Sequence, residues 1–267
     1  MRCGDDLLPK LRASGIPGTP LKWTIAACQG PLGGWPEARE GRAAWLASRG
    51  GADREAVERG LIEQDAALLR AVRDGESLVF WCEADPYDLA DLAAATAFVL
   101  AAEPDARLEL VLLDAHPEVA NFWGLNQLTA GQLADCFVTR TAISAAEKES
   151  LIRAWDALRS GALACRDLGQ QTLALPFLAD ALTRLGEEAI HLDGLGLTER
   201  RIVAAAAMPI SARELYLEIQ RQEHRAWLGD TMVFAMIDEL ALRLDAPIVV
   251  ASPGALRSGG DALVEAA

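Results

Sequence analysis

Ser77-Leu78-Val79-Phe80-Trp81-Cys82-Glu83-Ala84-Asp85-Pro86-Tyr87-Asp88 decides how this chain is read. A short apolar run with β-branched and aromatic residues, bounded by polar ones, has the pattern of a buried strand. Asp85 followed by Pro86 then starts a helix. The Asp side chain can accept orphan backbone N–H groups, and proline is preset for the first helical position. The helix is predicted over 87–102, rich in Ala and Leu on most faces, as befits packing on a sheet, and Pro104 ends it. A second apolar strand follows over 107–113. Strand, helix and strand in such close succession form a βαβ unit, hence parallel pairing with a right-handed crossover.

Working upstream, a short strand ends at Cys3, and a helix is expected over 7–14. A loop containing Pro17, Gly18 and Pro20 leads to a second strand over 21–27. The Gly- and Pro-rich stretch 29–36 reads as a loop. Helices are predicted over 42–48 and 53–72, the latter carrying Val57, Leu61, Leu68 and Leu69 as its apolar stripe.

Downstream of Asn126 the pattern becomes helical. Thr129…Gln132 and Ser144…Glu147 are capping boxes, and a further helix is expected over 172–188. The last seventy or so residues suggest a winged-helix-like module, with helices over 198–207, 211–222 and 229–243 and a wing strand over 247–251. Ser211…Glu214 is a third capping box. A DNA-reading third helix needs basic and amide side chains, whereas here Asp230, Asp238 and Glu239 outweigh Arg243. The fold class is therefore α/β: a mostly parallel open sheet with flanking helices, then an all-helical part ending in a winged-helix-like module. The expected divisions are 1–125 (Rossmann-like α/β), 126–195 (helical) and 196–267 (winged-helix-like).

The formal net charge of −14 over 267 residues argues against a broad nucleic-acid surface. Five cysteines without a Cys-x-x-Cys pair offer neither a zinc knuckle nor a thioredoxin-type motif. Residues 1–6 lack the apolar core of a signal peptide. The longest apolar stretch, 89–102, is interrupted by Asp91 and Thr96 and is too short to span a bilayer. A cytoplasmic protein with no membrane partner is expected. Fingerprints of P-loops, dinucleotide sites, serine-hydrolase elbows and zinc proteases are absent from the sequence.

Ligands of open α/β sheets bind beyond the carboxyl ends of the strands, and three acidic clusters fall there: Asp5-Asp6, Glu83 through Asp88, and Asp114-Ala115-His116. Each has a competing structural use. Asp5, Asp6 and Asp85 can cap helices, Asp88 gains from the helix dipole, Tyr87 can cover the sheet, and Asp114 with His116 can close a loop. Glu83 leaves a buried strand without an obvious capping duty. It is the candidate general base or metal ligand, with Asp114 or His116 as proton relay. Gathered carboxylates raise one another's pKa, one route to acid–base chemistry near neutrality. Oxygen-rich sets also suit Mg²⁺ or Mn²⁺, so a divalent metal is compatible while no cofactor is identified.

Blocks along nearly the whole chain resemble a bacterial family known as domain of unknown function 1835. They include Cys3-Gly4-Asp5, Trp23…Gly30-Pro31, Phe80 through Asp88, and Gly124-Leu125-Asn126-Gln127-Leu128-Thr129. Further on come Leu175-Pro176-Phe177-Leu178, Gly196-Leu197-Thr198-Glu199-Arg200 and Gly229-Asp230. The resemblance implies an N-terminal α/β domain with a helical C-terminal portion, and carries no information about activity. It adds Arg42 and Arg140 as residues that could hold an anionic group, against a surface ion-pairing use, and adds Trp81 and Asn126 as ligand contacts. This chain departs from the family pattern at Asp6, Ala84 and Ile25, where Ser, His and Asp are usual.

Two functions fit. One is a small-molecule hydrolase or group transferase with an acidic, metal-compatible site at the strand ends. The other is a non-catalytic regulatory protein that binds a protein partner, or a second copy, through its C-terminal module.

Overall fold

The computed structural model describes residues 1–251, 256 and 262–267. Backbone contacts divide the chain into two compact units, Met1–Arg42 with Glu58–Gly186, and Ala43–Val57 with Glu187–Ala267. The fold is mixed α/β. No helix among the described residues is long and apolar enough to cross a membrane.

In chain order, α1 (Leu8–Ala13), α2 (Arg39–Gly50) and α3 (Arg54–Arg73) precede β1 (Leu78–Glu83), α4 (Pro86–Ala102) and β2 (Leu108–Leu113). β1 and β2 pair in parallel, Leu78 against Leu108 through Glu83 against Leu113, with α4 as the crossover. A short β3 (Thr141–Ala142) closes the far side of β2 in the antiparallel sense. The described sheet is thus three-stranded and mixed. The two expected leading strands are reduced to contacts. Trp81 N–H donates to Met1 O at 3.0 Å, and Arg2 forms an isolated parallel bridge with Lys22. The turn begins directly at Gly4, and Pro20 has no N–H to extend a ladder, so neither segment sustains a strand.

α4 is buried on nearly every face, from Leu89 through Thr96 and at Val99. It packs on β1, on α6 (Ala145–Ser160) and on α8 (Leu178–Gly186). Leu7, Leu11, Trp81, Val111, Leu125, Leu128, Leu133 and Cys136 share one core. That core draws α5 (Ala130–Val138) into the first unit, so position 125 is not a boundary between the units. The capping boxes at Thr129 and Ser144 form as expected. The helix expected over 172–188 begins only at Leu178, because Pro176 precedes Phe177 at a φ of 64°. An additional helix, α7 (Ala162–Gly169), follows Gly161, whose φ of 103° suits glycine.

The second unit holds α9 (Leu197–Ala205), β4 (Ile210–Ser211), α10 (Ala212–Arg221), α11 (Asp230–Ala241), β5 (Ile248–Val250) and β6 (Leu263–Ala266). The three strands are antiparallel in the order β4–β6–β5. Ile202, Leu215, Ile219, Val233, Ile237, Leu240, Ile248 and Val264 are among its buried apolar residues. Met236 and Ile237 belong to this core, and Met232 and Phe234 are half-buried, so α11 packs through these residues.

Candidate functional site

The site is assembled where β1 hands over to α4. Asp85 Oδ1 accepts the N–H groups of Tyr87 at 2.8 Å and Asp88 at 3.0 Å, which starts the helix as its sequence predicts. One turn in, Asp88 Oδ2 accepts the Glu83 N–H at 2.7 Å and the Arg2 guanidinium, while its Oδ1 accepts the Cys3 thiol at 2.6 Å. Arg2 reaches on to Glu83 Oε1 at 3.0 Å, and the Leu125 N–H donates to that same oxygen at 2.6 Å. Oxygens of Glu83, Asp85 and Asp88 lie within 4.8 Å of one another.

Two of these carboxylates, Glu83 and Asp88, therefore pair with one buried guanidinium, and Asp85 lies close beside them. Burial, followed by the neighbouring Asp88 charge, pushes the Glu83 carboxyl above its ordinary range. Burial and the charges of Asp88 and Glu83 do the same to Asp85. The Glu83 side chain keeps 16 % exposure. Its Oε1 is tied down, while its Oε2 accepts no hydrogen bond from any described residue. The set is chemically suited to a divalent ion in its oxygens. Arg2, however, stands where such an ion would bind, and it would have to be displaced.

A second buried carboxylate lies further along α4. Asp91 Oδ1 accepts the Ala27 N–H at 2.8 Å, and Oδ2 accepts the Thr24 hydroxyl, whose oxygen is 2.9 Å from the Tyr87 hydroxyl. Burial lifts Asp91 to about 6. The folded protein thus holds this proton more tightly than the unfolded chain does, and the stability from this group falls as pH rises from about 4 to about 6. Asp91→Asn removes that penalty and is expected to gain on the order of 2 kcal/mol at pH 7.5 and nothing at pH 3.5. Urea unfolding at the two pH values checks this.

The other expected site residues are placed as follows. Asp5 pairs with Lys22 at 2.5 Å on the surface, and Asp6 stands 4.0 Å from Arg2. His116 Nδ1 accepts the Glu118 N–H at 3.3 Å inside a loop closed by the bridge to Val119. Neither His116 nor Asp114 supplies an atom to the Glu83 group. Tyr87 is engaged with Thr24. The Trp81 ring stacks on Phe137 within the apolar core, so it packs the sheet.

Arg42 is 1 % exposed, and its guanidinium donates to four backbone carbonyls: Ile25 at 2.7 Å, Ala26 at 2.5 Å, Gln29 at 2.7 Å and Pro31 at 3.2 Å. It organises the 25–31 loop and is not presented to an anion. Arg140 pairs with Glu109 at 3.3 Å, donates to Phe137 O and lies over the Phe137 ring, so it too is structural. Asn126 is brought to the cluster. A β-carbon on Gly124 would stand 3.1 Å from Glu83 Oε1 and 3.5 Å from Asn126 Oδ1.

Arg2, Cys3, Thr24 and Asp91 are the partners that sequence reasoning passes over. Asp91 had a signal, as one of two polar breaks in an apolar helix. Arg2 had a weaker one, a charged residue against strand-forming neighbours. A cavity of about 90 Å³, lined by Leu11, Ile16, Leu78, Val79, Trp81 and Phe137, opens at the start of β1, the end remote from Glu83. No family model, no curated protein and no solved structure matches this chain.

Proposed function

We propose that this chain is a cytoplasmic small-molecule enzyme, a hydrolase or group transferase, with Glu83 as its proton-transfer group. The reading is carried by one observation: Glu83 Oε1 is fixed by Arg2 and the Leu125 N–H, while Oε2 takes no such bond and the side chain reaches solvent. A carboxyl positioned this way, with its proton affinity raised by burial and by Asp88, can give and take a proton. Arg2 and Asp88 position it. In the metal-assisted form, Glu83, Asp85 and Asp88 would hold the ion after Arg2 moves aside. The resemblance of its sequence blocks to domain of unknown function 1835 would suit an α/β frame for such a site.

Glu83→Gln tests this. Glutamine keeps an oxygen for Arg2 and Leu125 but cannot carry the proton. Calorimetry with Mn²⁺ and ligand-observed NMR against a metabolite library should show binding lost, with the melting temperature within about 3 °C of wild type. Lost stability with binding intact would make Glu83 structural.

A second reading is a regulatory protein acting through its last helices and strands. Three helices, α9, α10 and α11, with the antiparallel β4–β6–β5 sheet in one unit support reading it as a winged-helix-like module. Met208, Leu242, Val249 and Leu263 are exposed apolar residues on it. α11 carries no Lys or Arg, which favours a protein partner over nucleic acid. A shift to larger size on gel filtration, abolished by Leu242→Glu, would support this reading.

A further inference from the structure

We propose that the ligand of the Glu83 site presents a cationic nitrogen donor, an ammonium or guanidinium group, between Glu83 and Asn126; this deepens the enzyme reading and rests on it. The observation behind it is Asn126 Oδ1, a fully buried oxygen with no hydrogen-bond donor among the described residues. Buried acceptors are almost always satisfied, and an exception beside a site calls for a reason. Asn126 is held in place through its backbone, since its carbonyl accepts from Lys10 Nζ and its turn, Leu125–Gln127, is closed by the Gln127 N–H on Gly124 O at 3.1 Å. Its side-chain oxygen and Glu83 Oε1 both face the space beside Gly124, where a β-carbon would stand 3.5 and 3.1 Å from them and crowd both.

Both groups facing that space are acceptors. Of the nearby donors, Arg2 Nη2 and the Leu125 N–H are both directed to Glu83 Oε1, while the buried Arg2 Nε makes no hydrogen bond among the described residues and stands 4.0 Å from Asp6. A ligand completing the pair must therefore bring N–H groups. An anionic acceptor such as a phosphate or carboxylate would leave Asn126 Oδ1 unsatisfied and would add negative charge beside three carboxylates. Charge points the same way: Glu83, Asp85 and Asp88 cluster where Arg2 pairs with Glu83 and Asp88, and Asp6 is 4.0 Å from the same guanidinium, so a ligand cation is favoured over a neutral donor.

The test uses the full chain and two probes, methylguanidinium chloride and tetramethylammonium chloride, which carries charge but no N–H. Amide chemical shifts are followed during titration, the Leu125 N–H reporting on Glu83. The expected result is a saturable shift at Leu125 with methylguanidinium and none with tetramethylammonium. Asn126→Leu, similar in size, should weaken binding by about tenfold or more, and Gly124→Ala should block it with the rest of the spectrum unchanged. The proposal is overturned if the two probes behave alike, if methylguanidinium gives no saturable shift, or if Asn126→Leu binds as wild type does. The last outcome would mean that the Asn126 amide is turned to donate to Glu83. Should methylguanidinium fail while another ligand binds wild type and not Glu83→Gln, the nitrogen-donor inference falls and the enzyme reading stands. Should Glu83→Gln change the binding of no ligand, both fall.

Discussion

Arg42→Ala is expected to lower the unfolding midpoint of the first unit by about 10 °C, a loss of roughly 4 kcal/mol. The reasoning is one of unsatisfied groups. Four carbonyls of the 25–31 loop point at a guanidinium that is 1 % exposed, and alanine leaves them without it. Each buried carbonyl left bare costs about 1–3 kcal/mol, less where water can enter the space left by the side chain. Arg42→Lys should recover only part of this. One ammonium has three donors and lacks the planar fork that reaches both sides of the loop. Differential scanning calorimetry of the three proteins checks the order wild type, Lys, Ala. Equal midpoints would mean that the loop is held by something other than Arg42.

Arg2→Met should destabilise by a comparable amount, about 3–5 kcal/mol, for a different reason. Methionine replaces the packing volume but leaves Asp88 and Glu83 without their cation. The same Asp88 also accepts from Cys3 and from the Glu83 backbone, so the damage spreads to the end of β1. If charge is the cause, Arg2→Met combined with Asp88→Asn should regain stability relative to Arg2→Met alone, and lowering the pH should narrow the gap between Arg2→Met and wild type. A urea series at pH 5 and pH 7.5 reads both effects. A loss independent of pH and of Asp88 would assign the effect to packing.

Much of the frame was legible in the sequence because it is local. β1, α4 and β2 follow from one apolar run, one Asp-Pro cap and a second apolar run, and the boxes at Thr129, Ser144 and Ser211 are four-residue patterns. Elements that depend on distant partners were not legible. β6 is four residues whose strand character comes from β4 and β5. β3 exists only as the edge partner of β2.

The site divides in the same way. Glu83, Asp85 and Asp88 are neighbours in sequence, so their convergence could be anticipated. Arg2 meets them across some eighty residues of chain, and no spacing rule announces that. Arg42 and Arg140 looked like anion ligands because surface and buried arginines read alike in a sequence. Only the fold shows that Arg42 is enclosed by carbonyls and Arg140 by Glu109 and Phe137. Asp114 and His116 share the strand-end location but not the cluster, since the loop between them and Val119 closes on itself.

The central claim is that Glu83 is a solvent-reaching carboxyl whose proton affinity is raised by its surroundings while Arg2 and Leu125 hold it in place. Side-chain ¹³C NMR of the Glu83 carboxyl across pH 3 to 9 measures this directly. The account predicts a titration midpoint above the ordinary glutamate value of about 4.3, rising further in Arg2→Met. A midpoint at or below that value in the wild-type protein would contradict it, because an ordinary or stabilised carboxylate there would be a structural ion-pair partner of Arg2 and no proton carrier.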